Sequence, residues 1–341
     1  MFNAHRSLAT VAGAAIALGL MASGAQAEVG ACLITKNNTN PFFVKMKEGA
    51  VKAAAAQGVK LSAFAGVKDG DAAPQITAIE NCVAAGAKGI LITASNDSVI
   101  PALKKARAAG LLVIALDTAI GDKDATDITF ATDNYEAGIL IGKWAKAQLG
   151  DKAASAKIGM LDINKDNISV DVQRDTGFLS GFGIDVPNKK VLASEKDARV
   201  IGHESSAANP EGGVKSVENL LAKQPDMNVV YTINEPAAEG AFQALKKAGK
   251  EKNVLIVSVD GGCPGVKSVA SGVIGATSQQ YPLLMASKGV EAIVAFAKDG
   301  TKPKTSDGLD FFNTGVNLIT DKPVAGVPSL DTKEGTAKCW G

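Results

Sequence analysis

Short runs of β-branched and other apolar residues alternate along this chain with longer stretches whose apolar positions recur every three or four residues. The short runs predict strands at Cys32–Thr35, Lys60–Ala65, Gly89–Ile92, Leu112–Leu116, Lys157–Leu161, Val229–Thr232 and Val254–Val259. The longer ones predict helices over Val44–Gln57, Gln75–Ala85, Tyr135–Leu149, Val214–Lys223 and Ala237–Ala248. Gly58, Gly86, Gly110, Gly150 and Gly249 stand where a helix C-terminus favours glycine. Strand–helix alternation over nearly the whole length is the pattern of parallel sheets with crossover helices.

Two of these strands end alike. Leu112–Leu116 runs into Asp117, and Val254–Val259 runs into Asp260-Gly261-Gly262. One such aspartate reads as a turn or helix cap. Ligands of open α/β sheets bind beyond the carboxyl ends of the strands, so the pair predicts two lobes contributing to one cleft. Behind the first strand, Asn40-Pro41-Phe42-Phe43 offers flat aromatic faces where a helix begins, suited to the C–H surface of a sugar ring. Arg174 falls in the first turns of a helix starting near Ser169, where a guanidinium can bond vicinal hydroxyls or carboxylates bidentately.

Residues 1–27 read as a secretory signal: His5 and Arg6, an apolar run from Leu8 to Met21, then the small-x-small Ala25-Gln26-Ala27. The alternative, a lipid anchor on Cys32, is disfavoured because Cys32 lies inside a predicted strand. The remainder is longer than one core usually serves, which predicts two domains. Lysine plus arginine (36) nearly balance aspartate plus glutamate (35) without a basic block, which argues against nucleic acid as a partner. Cys32, Cys82, Cys263 and Cys339 all follow the signal, so in an oxidising compartment two disulfides can form.

Enzyme signatures are missing. Beyond the signal there is one histidine, His203, which its polar neighbours place on the surface, and no Gly-x-Ser-x-Gly elbow. No Gly-x-Gly-x-x-Gly or Gly-Lys-Ser/Thr loop follows a strand, and no cofactor is implied. Asp162, Asn164 and Asp166 imitate the start of a calcium loop, but Asn167 and Gln173 occupy the places of its glycine and glutamate. A polar strand-to-helix loop is the better reading.

Taken in order, Asn40-Pro41-Phe42-Phe43, Asp117, Thr132-Asp133-Asn134, Arg174 with Gly177-Phe178, Asn234-Glu235, Asp260-Gly261, and Gln280 with Pro282 make the chain resemble periplasmic sugar-binding proteins of the ribose/galactose type. These are the substrate-binding components of ABC importers. The resemblance implies an α/β type I periplasmic binding protein: two similar lobes, each a parallel sheet flanked by helices, joined by a three-segment hinge. The lobes expected from it are 28–132 plus 281–310 and 133–280 plus 311–341. It implies a monomer in the periplasm that binds a monosaccharide and meets a membrane permease, and it leaves open whether a chemoreceptor is a further partner. Asn40 would bond hydroxyls, Phe42 and Phe43 would stack on the ring, and Asp117, Arg174, Asn234, Asp260 and Gln280 would form the polar shell. It also implies bridges Cys32–Cys82 and Cys263–Cys339, each within one lobe.

Four positions depart from the ribose pattern, and all bear on the ligand. Thr118 stands for an arginine, Val259 for an aromatic, Thr93 for an asparagine and Lys36 for a small hydroxyl residue. Smaller groups at Thr118 and Val259 are expected to enlarge the pocket and favour a hexose. Asn37 to Lys47 looks most like the binding proteins of fructose importers, so fructose is expected first, then mannose or ribose. A sugar-sensing regulator with the same core would need a helix-turn-helix where the signal stands. A secreted carbohydrate hydrolase would need paired carboxylates across a bond, and no glycosidase signature surrounds Asp117 and Asp260.

Overall fold

A computed structural model describes residues 1–2 and 28–341, so the expected signal at 1–27 lies almost wholly outside the described residues. In chain order the strands are β1 (Val29–Thr35), β2 (Val59–Ala65), β3 (Gly89–Ile92), β4 (Leu112–Leu116), β5 (Ile128–Ala131), β6 (Ile158–Asp162), β7 (Val200–Ser205), β8 (Val229–Thr232), β9 (Leu255–Asp260), β10 (Ala276–Gln279), β11 (Phe312–Asn313) and β12 (Asn317–Ile319). The helices are α1 (Pro41–Gln57), α2 (Ala73–Ala84), α3 (Ile100–Ala108), α4 (Asn134–Leu149), α5 (Ser169–Phe182), α6 (Pro210–Lys223), α7 (Glu235–Lys247), α8 (Cys263–Ala270), α9 (Pro282–Asp299) and α10 (Thr332–Lys338).

The strands form two sheets of the same order, β11-β5-β4-β3-β1-β2 and β12-β10-β9-β8-β6-β7. Pairing is parallel throughout except at β12, which runs antiparallel to β10. Buried on both faces, a central parallel strand needs a continuous apolar run rather than an alternating one. Leu112-Val113-Ile114-Ala115-Leu116 in β4 supplies it, every residue buried. In the first lobe α1 and α9 cover one face of the sheet and α2 and α3 the other. In the second, α4 and α5 face α6 and α7 across the sheet in the same way.

Crossings between lobes fall between β5 and α4, between β10 and α9, and between β11 and β12. The third comes later than the 310/311 boundary expected from the resemblance. Phe312–Asn313 still pairs with Phe130–Ala131, and the Phe312 ring lies 4.9 Å from that of Phe130. Aromatic packing holds these residues to the first sheet until Thr314. Trp340 reaches across the seam: its carbonyl accepts from the Cys263 amide of the second lobe, while its buried ring joins the first lobe's core.

Both bridges are present, Cys32–Cys82 and Cys263–Cys339. The first fastens β1 to α2, which removes the thiol that lipid attachment would use. Among the described residues no helix is long and apolar enough to cross a membrane.

Candidate functional site

The two sheets turn the carboxyl ends of their strands toward each other, and the loops there close on a small space of about 30 Å³. Lys36, Asn40, Phe42, Phe43 and Asp117 reach it from the first lobe, Arg174, Asn234 and Asp260 from the second, and Gln280 from a crossing. Asp69, Ile163, Val170, Ala208 and Ile233 also line it, unanticipated by the sequence. Grooves of about 430 and 490 Å³ open along the seam to either side, but Arg174 is on the wall of neither.

Arg174 is the centre of the arrangement. Its Nε–H donates to Asn134 Oδ1 at 2.8 Å, Nη1 to the Ile233 carbonyl at 3.1 Å and Nη2 to Gln280 Oε1 at 3.1 Å. Asp117 Oδ1 lies 3.5 Å from Nη2 and Asp260 Oδ1 4.0 Å from Nη1, so one guanidinium serves carboxylates of both lobes. What brings it there is the close approach of α5 to α4. A Cβ on Gly138 would stand 2.2 Å from the Arg174 carbonyl oxygen, and one on Gly177 would stand 2.3 Å from that of Tyr135.

Asp117 and Asp260 occupy equivalent places after β4 and β9. Each has a positive φ, 62° and 142°, conformations that cost a non-glycine residue free energy and cluster where a site is held under constraint. Thr118 Oγ1–H donates to Asp117 Oδ2 at 2.9 Å, while Asp117 Oδ1 is buried with no hydrogen-bond partner among the described residues. Gln280 Nε2 donates to Asp260 Oδ1 at 2.8 Å. Burial pushes the Asp260 carboxyl up to about 6, with Arg174 and Gln280 pulling the other way.

Lys36 is buried with Nζ 3.9 Å from Asp69 Oδ1. Burial pushes the Asp69 carboxyl up and Lys36 opposes it. Asn37 Nδ2 donates to Asp69, and Asn37 Oδ1 accepts from the Thr39 and Asn40 amides, fixing the turn that leads into α1. Asn40 and Asn234 are helix caps first: their Oδ1 atoms accept from the amides of Phe42 and Ala237. Asn234 Nδ2 donates to the Ala208 carbonyl, which leaves Asn40 Nδ2 as the less committed amide. The Phe42 ring meets Phe43 edge-on at 5.4 Å and Trp340 at 5.5 Å. Trp340 thus backs the aromatic wall, and its Nε1–H donates to the Gln280 carbonyl. A tryptophan so near the end of the chain gave no periodic signal to place it.

Three expectations need correction. Thr93 and Thr118 are not on the wall of the closed space: Thr93 is wholly buried at the end of β3, and Thr118 acts by orienting Asp117. Val259 packs in the second lobe's core with Trp144 and Tyr231, so its small size does not enlarge the cleft. His203 is not a surface residue. It lies on β7 with Nδ1 2.9 Å from Asp162 Oδ2 and 3.6 Å from Asp175 Oδ2, and Nε2 2.9 Å from Glu195 Oε1. Burial works against its charge, but the hydrogen bonds to Asp162 and Glu195 win and raise it to about 11. Asp162 therefore turns to His203, and Asn164 Oδ1 accepts from the Asp166 amide, as a polar loop would and a calcium loop would not.

Comparison with known proteins bears on this geometry. A model described as a periplasmic binding protein domain matches residues 29–302. The ribose import binding protein of Haemophilus influenzae is 33% identical over 278 residues, 81% of this chain and 88% of that protein. The D-allose-binding periplasmic protein of Escherichia coli is 26% identical over 285 residues, covering 83% and 89%. The crystal structure of an ABC transporter periplasmic solute binding protein from Actinobacillus succinogenes with bound D-allose superposes with a TM-score of 0.75 at 21% identity, over 91% of this chain and 100% of that one, which is a likeness of fold. With a family model spanning most of its length and a relative one-third identical across both lobes, this chain belongs to the periplasmic binding protein family, whose members here are solute-binding proteins and not enzymes.

Proposed function

We propose that this chain traps one monosaccharide in the space between its lobes and delivers it, in the periplasm, to the permease of an ABC importer. The observation that carries the reading is Asp117 Oδ1, a carboxylate oxygen buried at the closed seam without a hydrogen-bond donor and 3.5 Å from Arg174. A buried acceptor left unpaired costs about 1–3 kcal/mol, and a sugar hydroxyl is the neutral donor that removes this cost. Aromatic faces at Phe42 and Phe43 opposite Arg174 and Asp260 suit a polyol with one apolar side. In this reading the closed protein presents both lobes to the permease together, as a monomer.

Among sugars we place fructose first, then mannose and ribose. The likeness of residues 37–47 to fructose-importer binding proteins supports it, whereas Thr118, off the wall of the space, adds nothing to the choice. Val259 lends no support, being in the core. A second reading, ribose or allose, is favoured by the names of the relatives. A thermal-shift screen followed by calorimetry with D-fructose, D-mannose, D-ribose and D-allose tests both, because a ligand that binds only the folded state raises apparent stability with the logarithm of its concentration over Kd. We expect fructose to give the largest shift and to be recovered unchanged. A larger shift with ribose or allose overturns the choice of sugar. No shift with any sugar, or conversion of the sugar, overturns the binding reading.

A further inference from the structure

Outside the cleft, the second lobe holds a group of buried carboxylates that sugar binding does not use. Asp162 ends β6, Asp171 and Asp175 lie one turn apart on α5, and Glu195 precedes β7, which carries His203. One oxygen or ring nitrogen from each of Asp162, Asp175 and His203 falls within 4.8 Å of the others. Asp175 is fully buried, yet neither of its oxygens has a hydrogen-bond partner among the described residues, and Oδ2 faces His203 Nδ1 at 3.6 Å. Asp162 Oδ1, Asp171 Oδ1 and Glu195 Oε2 lack partners as well.

A proton does not resolve this. Protonating His203 gives Nδ1 one N–H, which Asp162 Oδ2 already receives at 2.9 Å, and leaves both oxygens of Asp175 unbonded. Protonating Asp175 instead creates an O–H that faces Nδ1 at 3.6 Å, beyond hydrogen-bond length, and leaves the other Asp175 oxygen unbonded. A cation seated among the three donors satisfies Asp175, Asp162 and the ring nitrogen together. Donors about 2.0–2.2 Å from one ion stand roughly 3–3.5 Å apart, so the 2.9 and 3.6 Å separations need little change, and the third lies within 4.8 Å.

We propose that Asp162, Asp175 and His203 form a binding site for one divalent transition-metal ion, with zinc the best match. An imidazole with two carboxylates is a nitrogen–oxygen donor set for zinc or manganese, whereas calcium takes oxygen ligands alone. Glu195 supplies the outer partner such sites carry: with Nδ1 on the metal, His203 Nε2–H donates to Glu195 Oε1 at 2.9 Å, fixing tautomer and ring. The His203 side chain keeps 13% of its surface exposed on the edge strand β7, which gives an ion a way in. Binding would tie α5 to β6 and β7 directly beneath Arg174.

The test is metal content and stability of tag-free protein stripped with chelator and dialysed against zinc chloride. One zinc per chain, a melting temperature that rises with zinc concentration and falls again with chelator, and visible absorption bands on cobalt(II) substitution are expected. Asp175→Asn and His203→Gln should each weaken zinc at least tenfold, and Glu195→Gln by about ten- to a hundredfold. Circular dichroism confirms that each variant folds; should one fail, the cobalt(II) spectrum of the unmodified chain decides alone. Absence of stoichiometric zinc and of cobalt bands, or one zinc retained equally by folded Asp175→Asn and His203→Gln, which would mean an adventitious ion only, overturns the proposal.

Discussion

One helix serves two clusters of buried charge in opposite ways. Toward the cleft α5 presents Arg174, and toward β6 and β7 it presents Asp171 and Asp175. In the cleft, cations and carboxylates come close to matching, with Arg174 and Lys36 against Asp117, Asp260 and Asp69. Beneath it, Asp162, Asp175 and Glu195 surround the single imidazole of His203, and Asp171 is buried close by on the Ile163 amide. A near-balanced set with one unbonded oxygen suits a neutral ligand rich in hydroxyls. An unbalanced set with several unbonded oxygens suits a cation. Composition alone would not separate them; the count of unsatisfied atoms does.

The largest effect should come from breaking the balance in the cleft. Arg174→Ala leaves Asp117 and Asp260 facing each other without their shared cation, and removing one partner of a buried charge pair costs about 2–5 kcal/mol. Sugar affinity measured by calorimetry should fall accordingly. Arg174→Lys should recover only part of it, since an ammonium cannot hold Asn134, Ile233 and Gln280 from one planar fork. Near-normal affinity in a folded Arg174→Ala protein would mean that the sugar binds in another part of the molecule.

Acid should act next, through Asp260. Its carboxyl titrates near 6 in the sugar-free protein because burial raises it. A sugar hydroxyl donating to the ionised form favours that form, so affinity should be constant above about pH 7 and weaken as pH falls through 6. Around pH 5 the loss should be about tenfold, one pH unit being 1.36 kcal/mol at most. Asp260→Asn should bind more weakly throughout and show a flatter profile. A profile unchanged by Asp260→Asn would assign the titration to another group.

How far the sequence carried this reading depended on where each residue found its partners. Central strands such as β4 and β9 were legible because they are apolar runs, and Asp117 and Asp260 followed from their ends. β10 was not, since Ala276-Thr-Ser-Gln279 is buried through side-chain bonds to remote partners: Thr277 to Glu235, Ser278 to the Ala137 carbonyl, Gln279 to Gly261 and Gly335. His203 was misjudged for the same reason. Its neighbours read as a polar loop, whereas they form an edge strand whose acidic partners come from β6, from α5 and from the segment before β7. Lys36, Asp117 and Arg174 could be named singly, but Asp69 and Trp340 enter the cleft region only through tertiary contact.

The aromatic wall should matter less than the charges. Phe43→Ala removes apolar contact with the sugar ring and should cost about 1–2 kcal/mol in affinity. Phe42→Ala should cost stability as well, because its ring supports Trp340 at 5.5 Å within the first lobe's core. Both rings sit in that core, so melting temperature measured without sugar should drop in both variants and further in Phe42→Ala, which also loses the contact with Trp340; an equal drop in both does not fit this geometry.

The smallest effect on sugar should come from His203→Gln, and its smallness is what keeps the two clusters distinct. Arg174 is fixed by Asn134, Ile233 and Gln280, none of which touches His203, so the guanidinium should hold its place when the imidazole is lost. Glutamine can still donate one hydrogen bond to Asp162 or Glu195, which limits the disturbance to β7 and the start of α5. Sugar affinity should therefore change by less than about threefold, or roughly 0.6 kcal/mol, while stability falls from loss of the bonds to Asp162 and Glu195. Calorimetry and thermal melting on the same sample read both quantities. A loss of sugar affinity as large as that of Arg174→Ala would show instead that α5 transmits the state of the acidic cluster to the cleft, and that the two faces of the helix work as one site.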